Sequence, residues 1–152
     1  MTSLDIYQSA HFRIVLCCDC DVPGYLIMMP RDEGSSFDVL PTATLLELGP
    51  TLALLERVVI QAVKARHVYI MRYSEASAAA HFHIFPCTVD LSELYAKESG
   101  SSVSAINGPL LFAWARARFA VNSPREISST TLNMGDGIRQ GLIGKSIVAK
   151  DN

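Results

Sequence analysis

The sequence predicts an α+β domain, and three observations carry that expectation. Two apolar, β-rich segments flank the turn "CDVPG"; a long stripe of leucine and valine follows at helical spacing; two further β-rich segments come after it. Strands on either side of one long amphipathic helix bury their apolar faces by packing as layers around a common core. A chain of 152 residues, 49% of them hydrophobic, has enough material for such a core in one compact domain.

The elements follow in order. In "HFRIVLCCD" (11–19), Phe12, Ile14 and Leu16 alternate with Arg13 and Val15, the period of a half-buried strand. The Asp, Pro and Gly of "CDVPG" write a turn. "YLIMMP" (25–30) is nearly all apolar and reads as a central strand, so the two segments form an antiparallel hairpin. "RDEGSSFDVLP" is a polar loop that can border a site. From 42 to 65, Leu45, Leu48, Leu52, Leu55, Val59 and Val63 recur at threes and fours, an amphipathic helix. Thr42 or Thr44 is placed to cap it, with Glu47 completing a capping box, and Gly49-Pro50 predicts a kink or break. "HVYIMRY" (67–73) is a third strand, "SEASAAA" a connection of small residues, and "HFHIFPCTV" a fourth strand ended or edged by Pro86. A short helix, a Ser/Gly loop and a helix over 110–120 follow. Residues 1–122 are expected to form the domain, and 123–152, with weaker structural signals, a C-terminal extension.

Composition narrows the function classes. The net charge of −2 carries no basic block of the kind that marks a nucleic-acid surface, so no nucleic-acid polymer is expected as partner. A small anion remains admissible, because a few backbone N–H groups can hold a phosphate without net positive charge. The polar start "MTSLDIYQSA" lacks the pattern of a signal peptide and the apolar runs are too short to span a bilayer, so a cytoplasmic protein without membrane contact is expected. In that compartment Cys17, Cys18, Cys20 and Cys87 are expected as reduced thiols. Cys17 and Cys20 have the spacing of half a zinc or redox site, but no second half follows.

The densest chemical signal is "AAHFHIFP" (79–86). His81 and His83 are two apart on a predicted strand, so their imidazoles share one face, with Phe82 and Ile84 on the other. Three readings compete: satisfied structural histidines; a metal pair, for which only His11, His67 and the cysteines offer further ligands; and nucleophilic or acid–base catalysis, since imidazole titrates near neutrality. The small residues before the pair let a ligand approach the backbone, and Ser74 and Ser77 add hydroxyl groups.

"AAHFHIFP" is similar to the H-φ-H-φ-H-φ-φ signature of the histidine triad (HIT) superfamily of nucleotide hydrolases and transferases, with His81 and His83 at its second and third histidines. "VPGYLIMMPR" resembles that family's "PGHxLVxPK" strand, and "LPTATLLELGPTLALLERV" its helix with the "LGP" step; the likeness covers about residues 10 to 90. The resemblance implies an antiparallel sheet of about four to five strands, with a long helix and shorter C-terminal helices packed on it. It implies that His81 attacks the α-phosphate of a nucleotide to form a nucleotidyl-histidine, and that His83 hydrogen-bonds the phosphate or leaving group. It further implies a homodimer, a small nucleotide as substrate, and no cofactor or metal. The departures are Ala79 at the first histidine, Tyr25 at the histidine after Pro-Gly, Glu75 near the loop glutamine, and Arg72 or Met71 at an asparagine. Ser74, Ser77, Arg72 and Tyr25 are the expected substrate-binding set; Arg72 serves if it faces the site. A catalytically weakened nucleotide-binding protein on the same fold is the alternative.

Three further segments carry less. "GLIGKS" (141–146) lacks the first glycine of a P-loop, Arg139 standing there. In "WARARFA", Arg116 and Arg118 read as a solvated helix face beside Trp114. Phe12, Leu26 and Met28 read as core rather than as a nucleobase pocket.

Overall fold

The computed structural model describes residues 4–32, 34–75 and 77–145. Five strands form one sheet: β1 (Asp5–Gln8), β2 (Phe12–Leu16), β3 (Leu26–Pro30), β4 (His67–Met71) and β5 (Phe82–Cys87), in the order β1-β2-β3-β5-β4 with every pair antiparallel. Four helices accompany it: α1 (Thr42–Val63), α2 (Val89–Ser99), α3 (Gly108–Arg118) and α4 (Ser129–Leu142). The α+β expectation holds, and β3 is the middle strand as its apolar sequence predicts.

The period-two alternation sorts the sheet into two faces. Phe12, Ile14, Leu16, Leu26, Met28, Phe82 and Ile84 point one way and meet Leu54, Leu55, Val58 and Val59 of α1. Phe12, Leu26 and Met28 are thus core, fully buried. On the opposite face, Tyr25, Phe85 and Cys87 meet Leu111, Phe112 and Ala115 of α3 and Tyr95 of α2. The helices of that second cluster leave His81 and His83 open to a cavity.

Several local expectations are corrected. β1 lies in the stretch that reads as merely polar; a four-residue strand with Ile6 as its one fully buried side chain has too short a pattern to register. α1 passes through Pro50 without a break, because the proline and Leu46, whose carbonyl loses its donor, both lie on the solvent side. No side chain caps α1: Pro41 precedes it, Thr44 is buried near His11, and Glu47 accepts a hydrogen bond from Ser9 instead. Leu45, at the start of the predicted stripe, is exposed. Pro86 sits inside β5, where that strand pairs with β4 alone, since the β3 register stops at Leu26–Ile84.

The Pro23-Gly24 turn places Gly24 at φ +82°, and a Cβ there would lie 2.7 Å from Val63 Cγ1, so backbone conformation and the approach of α1 both demand glycine. The stretch after Asn122 supplies α4, capped by Ser128 and buried through Ile138 and Leu142 against β1 and α1. Of "GLIGKS", Gly141 and Leu142 close that helix rather than forming a phosphate loop, and Ser146 lies outside the described residues. Among the described residues no helix is long and apolar enough to cross a membrane.

Candidate active site

His83 pairs with Ile27 of β3 on one side and Met71 of β4 on the other, so register sets it in the middle of the open face. His81 lies just before β5 on the same face, with the two ring centroids 5.1 Å apart. A cavity of about 440 Å³ opens over both rings, a size that suits a small-molecule ligand. Val15, Ile27 and Met29 form its apolar floor, Tyr73 and Phe112 flank it, and Asp19, Glu75 and Arg116 supply charge. Phe112 meets the His83 ring edge-on at 5.6 Å.

The two imidazoles are held differently. His81 Nδ1 lies 2.9 Å from the Ala79 carbonyl oxygen. A carbonyl only accepts, so Nδ1 carries a proton, and in the neutral ring the lone pair is on Nε2. The partner is main chain, so alanine at position 79 supplies it as well as histidine would. His83 Nδ1 lies 2.6 Å from the Tyr25 hydroxyl. Burial, then the neighbouring His81 and Arg116, pull His83 down to about 4, so the ring is neutral across the physiological range. Burial pushes the Tyr25 phenol up, so it too keeps its proton.

Behind Tyr25 stands a group that the sequence does not flag. Arg116 Nη1 donates to the Tyr25 oxygen at 3.1 Å and to Asp19 Oδ1 at 2.9 Å, and Nη2 donates to Asp19 Oδ2 at 3.0 Å. Burial opposes the Asp19 carboxylate, but the Cys17 thiol and Arg116 together hold it below the usual range. The solvated-face expectation fails for Arg116, which follows Phe112 by four residues and so shares its inward face. That i, i+4 relation to a buried phenylalanine is the sequence signal that could have found it. Arg118 does lie outside, donating to Glu98 together with the Trp114 indole and so fastening α3 to α2.

The remaining expected residues disperse. Tyr25 is central. Arg72 lies over the Phe37 ring, 5.4 Å from its centroid, and is absent from the cavity wall. Ser74 donates its backbone N–H to Glu75, and the Ser77 hydroxyl accepts from Ala79 N–H; neither lines the cavity. Glu75, which stands near the loop glutamine of the resemblance, is exposed yet forms part of the cavity wall.

The cysteines sit apart from the zinc or redox reading. The Cys17 thiol donates to Asp19 at 2.9 Å, and the Cys20 thiol faces the Ala115 carbonyl at 3.7 Å. Burial pushes them up to about 12 and about 11, which keeps both protonated in the metal-free chain. Among the described residues, no three His, Cys, Asp or Glu side chains converge to hold a metal.

By sequence, the chain matches no protein-family model and no curated protein. Solved structures do match. A Hit-like protein involved in cell-cycle regulation from Bartonella henselae, with an unknown ligand, superposes at a TM-score of 0.61 and 16% identity, covering 93% of this chain and 88% of that one. A hypothetical histidine triad nucleotide-binding protein from Sulfolobus tokodaii gives 0.59 at 16% identity, over 91% and 83%. A zinc-bound histidine triad family protein from Mycobacterium smegmatis gives 0.58 at 14%, over 93% and 85%. Identities this low speak for architecture, and what they establish is that the chain carries the histidine triad fold, with His81 and His83 side by side on the open face of its sheet.

Proposed function

We propose that this protein hydrolyses or transfers a nucleotidyl group by way of a covalent intermediate on His81. The observation that carries the reading is the 2.9 Å hydrogen bond from His81 Nδ1 to the Ala79 carbonyl, which puts the lone pair of the neutral ring on Nε2, the nitrogen free to meet a ligand in the cavity. The Nε2 lone pair attacks the α-phosphorus, a P–N bond forms, and the bond to the leaving group breaks, the departing atom taking the electron pair. Water or another acceptor then attacks phosphorus, its proton passing to the departed group, and the P–N bond breaks with its electron pair returning to Nε2 of His81. His83 is placed beside the reacting group, where a neutral N–H stabilises developing charge.

The charge of the cavity wall favours a lightly charged substrate. Among the described residues, Arg116 is the one Lys or Arg of the wall and is already paired with Asp19, while Glu75 adds a second carboxylate. A nucleoside phosphoramidate or simple nucleotide ester, with one negative charge at phosphorus, fits that field better than a dinucleoside polyphosphate. The same observation favours the second reading, a nucleotide-binding protein with weakened catalysis. Incubation with a nucleoside phosphoramidate, alkaline quench and intact-mass analysis separates the two. The proposal expects one nucleotidyl group per chain, mapped to His81. Binding with neither adduct nor turnover establishes the second reading.

The fold also leaves β4 at the sheet edge, with Ile70 exposed, and we propose it as the seam of a two-fold homodimer. The expected mass by light scattering is that of two chains, and a single-chain mass at micromolar concentration removes the idea.

A further inference from the structure

We infer that Asp19 and Arg116 are positioning residues: their ion pair aims Arg116 Nη1 at the Tyr25 oxygen, sends the Tyr25 proton to His83 Nδ1, and so makes His83 present Nε2–H to the cavity. The inference deepens the reading of His83 as the group that meets the phosphate or leaving group, but the proton arrangement exists without any ligand.

A guanidinium has five N–H donors and no acceptor, so the 3.1 Å contact between Arg116 Nη1 and the Tyr25 oxygen can only run from arginine to tyrosine. Tyr25 has one proton of its own. Its hydroxyl has one other partner, His83 Nδ1 at 2.6 Å, and the side chain is fully buried. If Nδ1 were protonated, two donors would converge on the phenolic oxygen and the phenolic proton would point into the core with nothing to accept it. Buried O–H groups are not left in that state. Tyr25 therefore donates to His83 Nδ1, and the single proton of the neutral imidazole sits on Nε2.

The geometry behind Tyr25 explains why this direction is fixed. Both terminal nitrogens of Arg116 rest on the two oxygens of Asp19, at 2.9 and 3.0 Å, a fork-on-fork pairing that admits one orientation of the guanidinium plane. Nη1 has a second hydrogen, which faces the Tyr25 oxygen at 3.1 Å, with the Cys17 sulfur a longer and weaker acceptor at 3.6 Å. Asp19 is itself held by the Cys17 thiol. The pair is carried by α3 and by the turn after β2, while His83 is on β5, so three separate parts of the chain agree on one tautomer. It differs from that of His81, whose proton is on Nδ1. The two neighbouring rings thus offer opposite groups to the cavity, a lone pair from His81 and a donor from His83.

The groups facing His83 are Tyr25 from the residue just before β3, Asp19 and Cys17 from the turn after β2, Arg116 and Phe112 from α3, Tyr73 and Glu75 from the segment after β4, and His81 from its own segment. Burial, His81 and Arg116 disfavour the imidazolium, and Asp19 favours it. Removing Arg116 withdraws a repelling charge and leaves Asp19 unopposed, so both changes let His83 take up a proton at higher pH.

The test is nitrogen-15 histidine NMR on the full, ligand-free chain, using the two-bond couplings that tell Nδ1–H from Nε2–H. Wild type is expected to show His83 as Nε2–H and His81 as Nδ1–H. In Arg116→Met, His83 is expected to become a mixture of tautomers and its titration midpoint to rise by about one pH unit or more, the size of a close-charge effect. Asp19→Asn is expected to move the tautomer ratio the same way, and serves if Arg116→Met does not fold. An unchanged His81 signal reports that the site is otherwise intact. A wild-type His83 protonated on Nδ1 overturns the inference, and so does a His83 tautomer indifferent to both substitutions. Absence of turnover leaves these signals untouched, so failure of the proposed chemistry and failure of this inference are read separately.

Discussion

A His81→Ala variant loses turnover of a nucleoside phosphoramidate by about 10³-fold or more, with little change in nucleotide affinity. The magnitude follows from what the substitution removes: a nucleophile acts only in the bond-making step, and residues that act as a unit fall together when one is deleted. His81 is half-buried at the cavity rim, and its one side-chain hydrogen bond runs to the Ala79 carbonyl, which water can satisfy once the ring is gone. The fold therefore tolerates the change, and the thermal midpoint stays within a few degrees of wild type. Tyr25→Phe should lose far less, since it leaves the nucleophile in place and disturbs only the ring beside it. Steady-state kcat/KM for the two variants, with melting curves alongside, decides the matter. Equal hydrolysis by wild type and His81→Ala sinks the covalent route.

Ending the chain at Asn122 abolishes cooperative folding. The missing segment removes Ile138 and Leu142, both essentially fully buried, at about 1.5–3 kcal/mol each. It also uncovers their neighbours. α4 comes so close to β2 that a Cβ on Gly135 would stand 2.7 Å from Leu16 Cδ1. Asp21 loses the Ser128 backbone N–H, the Ser128 hydroxyl and the Thr131 hydroxyl that satisfy its carboxylate. Set against a total stability of about 5–15 kcal/mol for a domain, these losses leave no margin. Urea unfolding followed by circular dichroism is the measurement. The full chain gives a single sigmoid, and the chain of 1–122 gives a featureless slope. A sigmoid from the short chain with a midpoint near that of the full one would show that α4 is dispensable. The point substitution Ile138→Ala, expected at about 2–5 kcal/mol, tests the same contact without truncation.

How far the sequence could be read depended on the length of each pattern. The alternation in Phe12–Leu16 and the leucine and valine stripe of α1 recur often enough for period alone to decide their type. β1 offers a single fully buried side chain, and the buried positions of α4 are interleaved with glycine, serine and threonine, so neither stood out. The proline in α1 misled because the rule against it assumes that the freed carbonyl is buried, and here it faces water.

At the site, the sequence by itself determined that two imidazoles share one face of a strand, because a strand has a period of two whatever it packs against. It also placed Tyr25 after the Pro-Gly turn. Only the tertiary structure decided what surrounds those rings. Asp19 and Arg116 are separated by most of the chain, yet they meet through bidentate hydrogen bonds behind Tyr25. Arg72, one residue beyond β4, is turned away from the cavity toward Phe37. Periodicity reports which way a side chain points relative to its own backbone. Which charges face one another, and hence which nitrogen of His83 holds a proton, depends on how helices and strands distant in sequence are docked, and no local pattern encodes that.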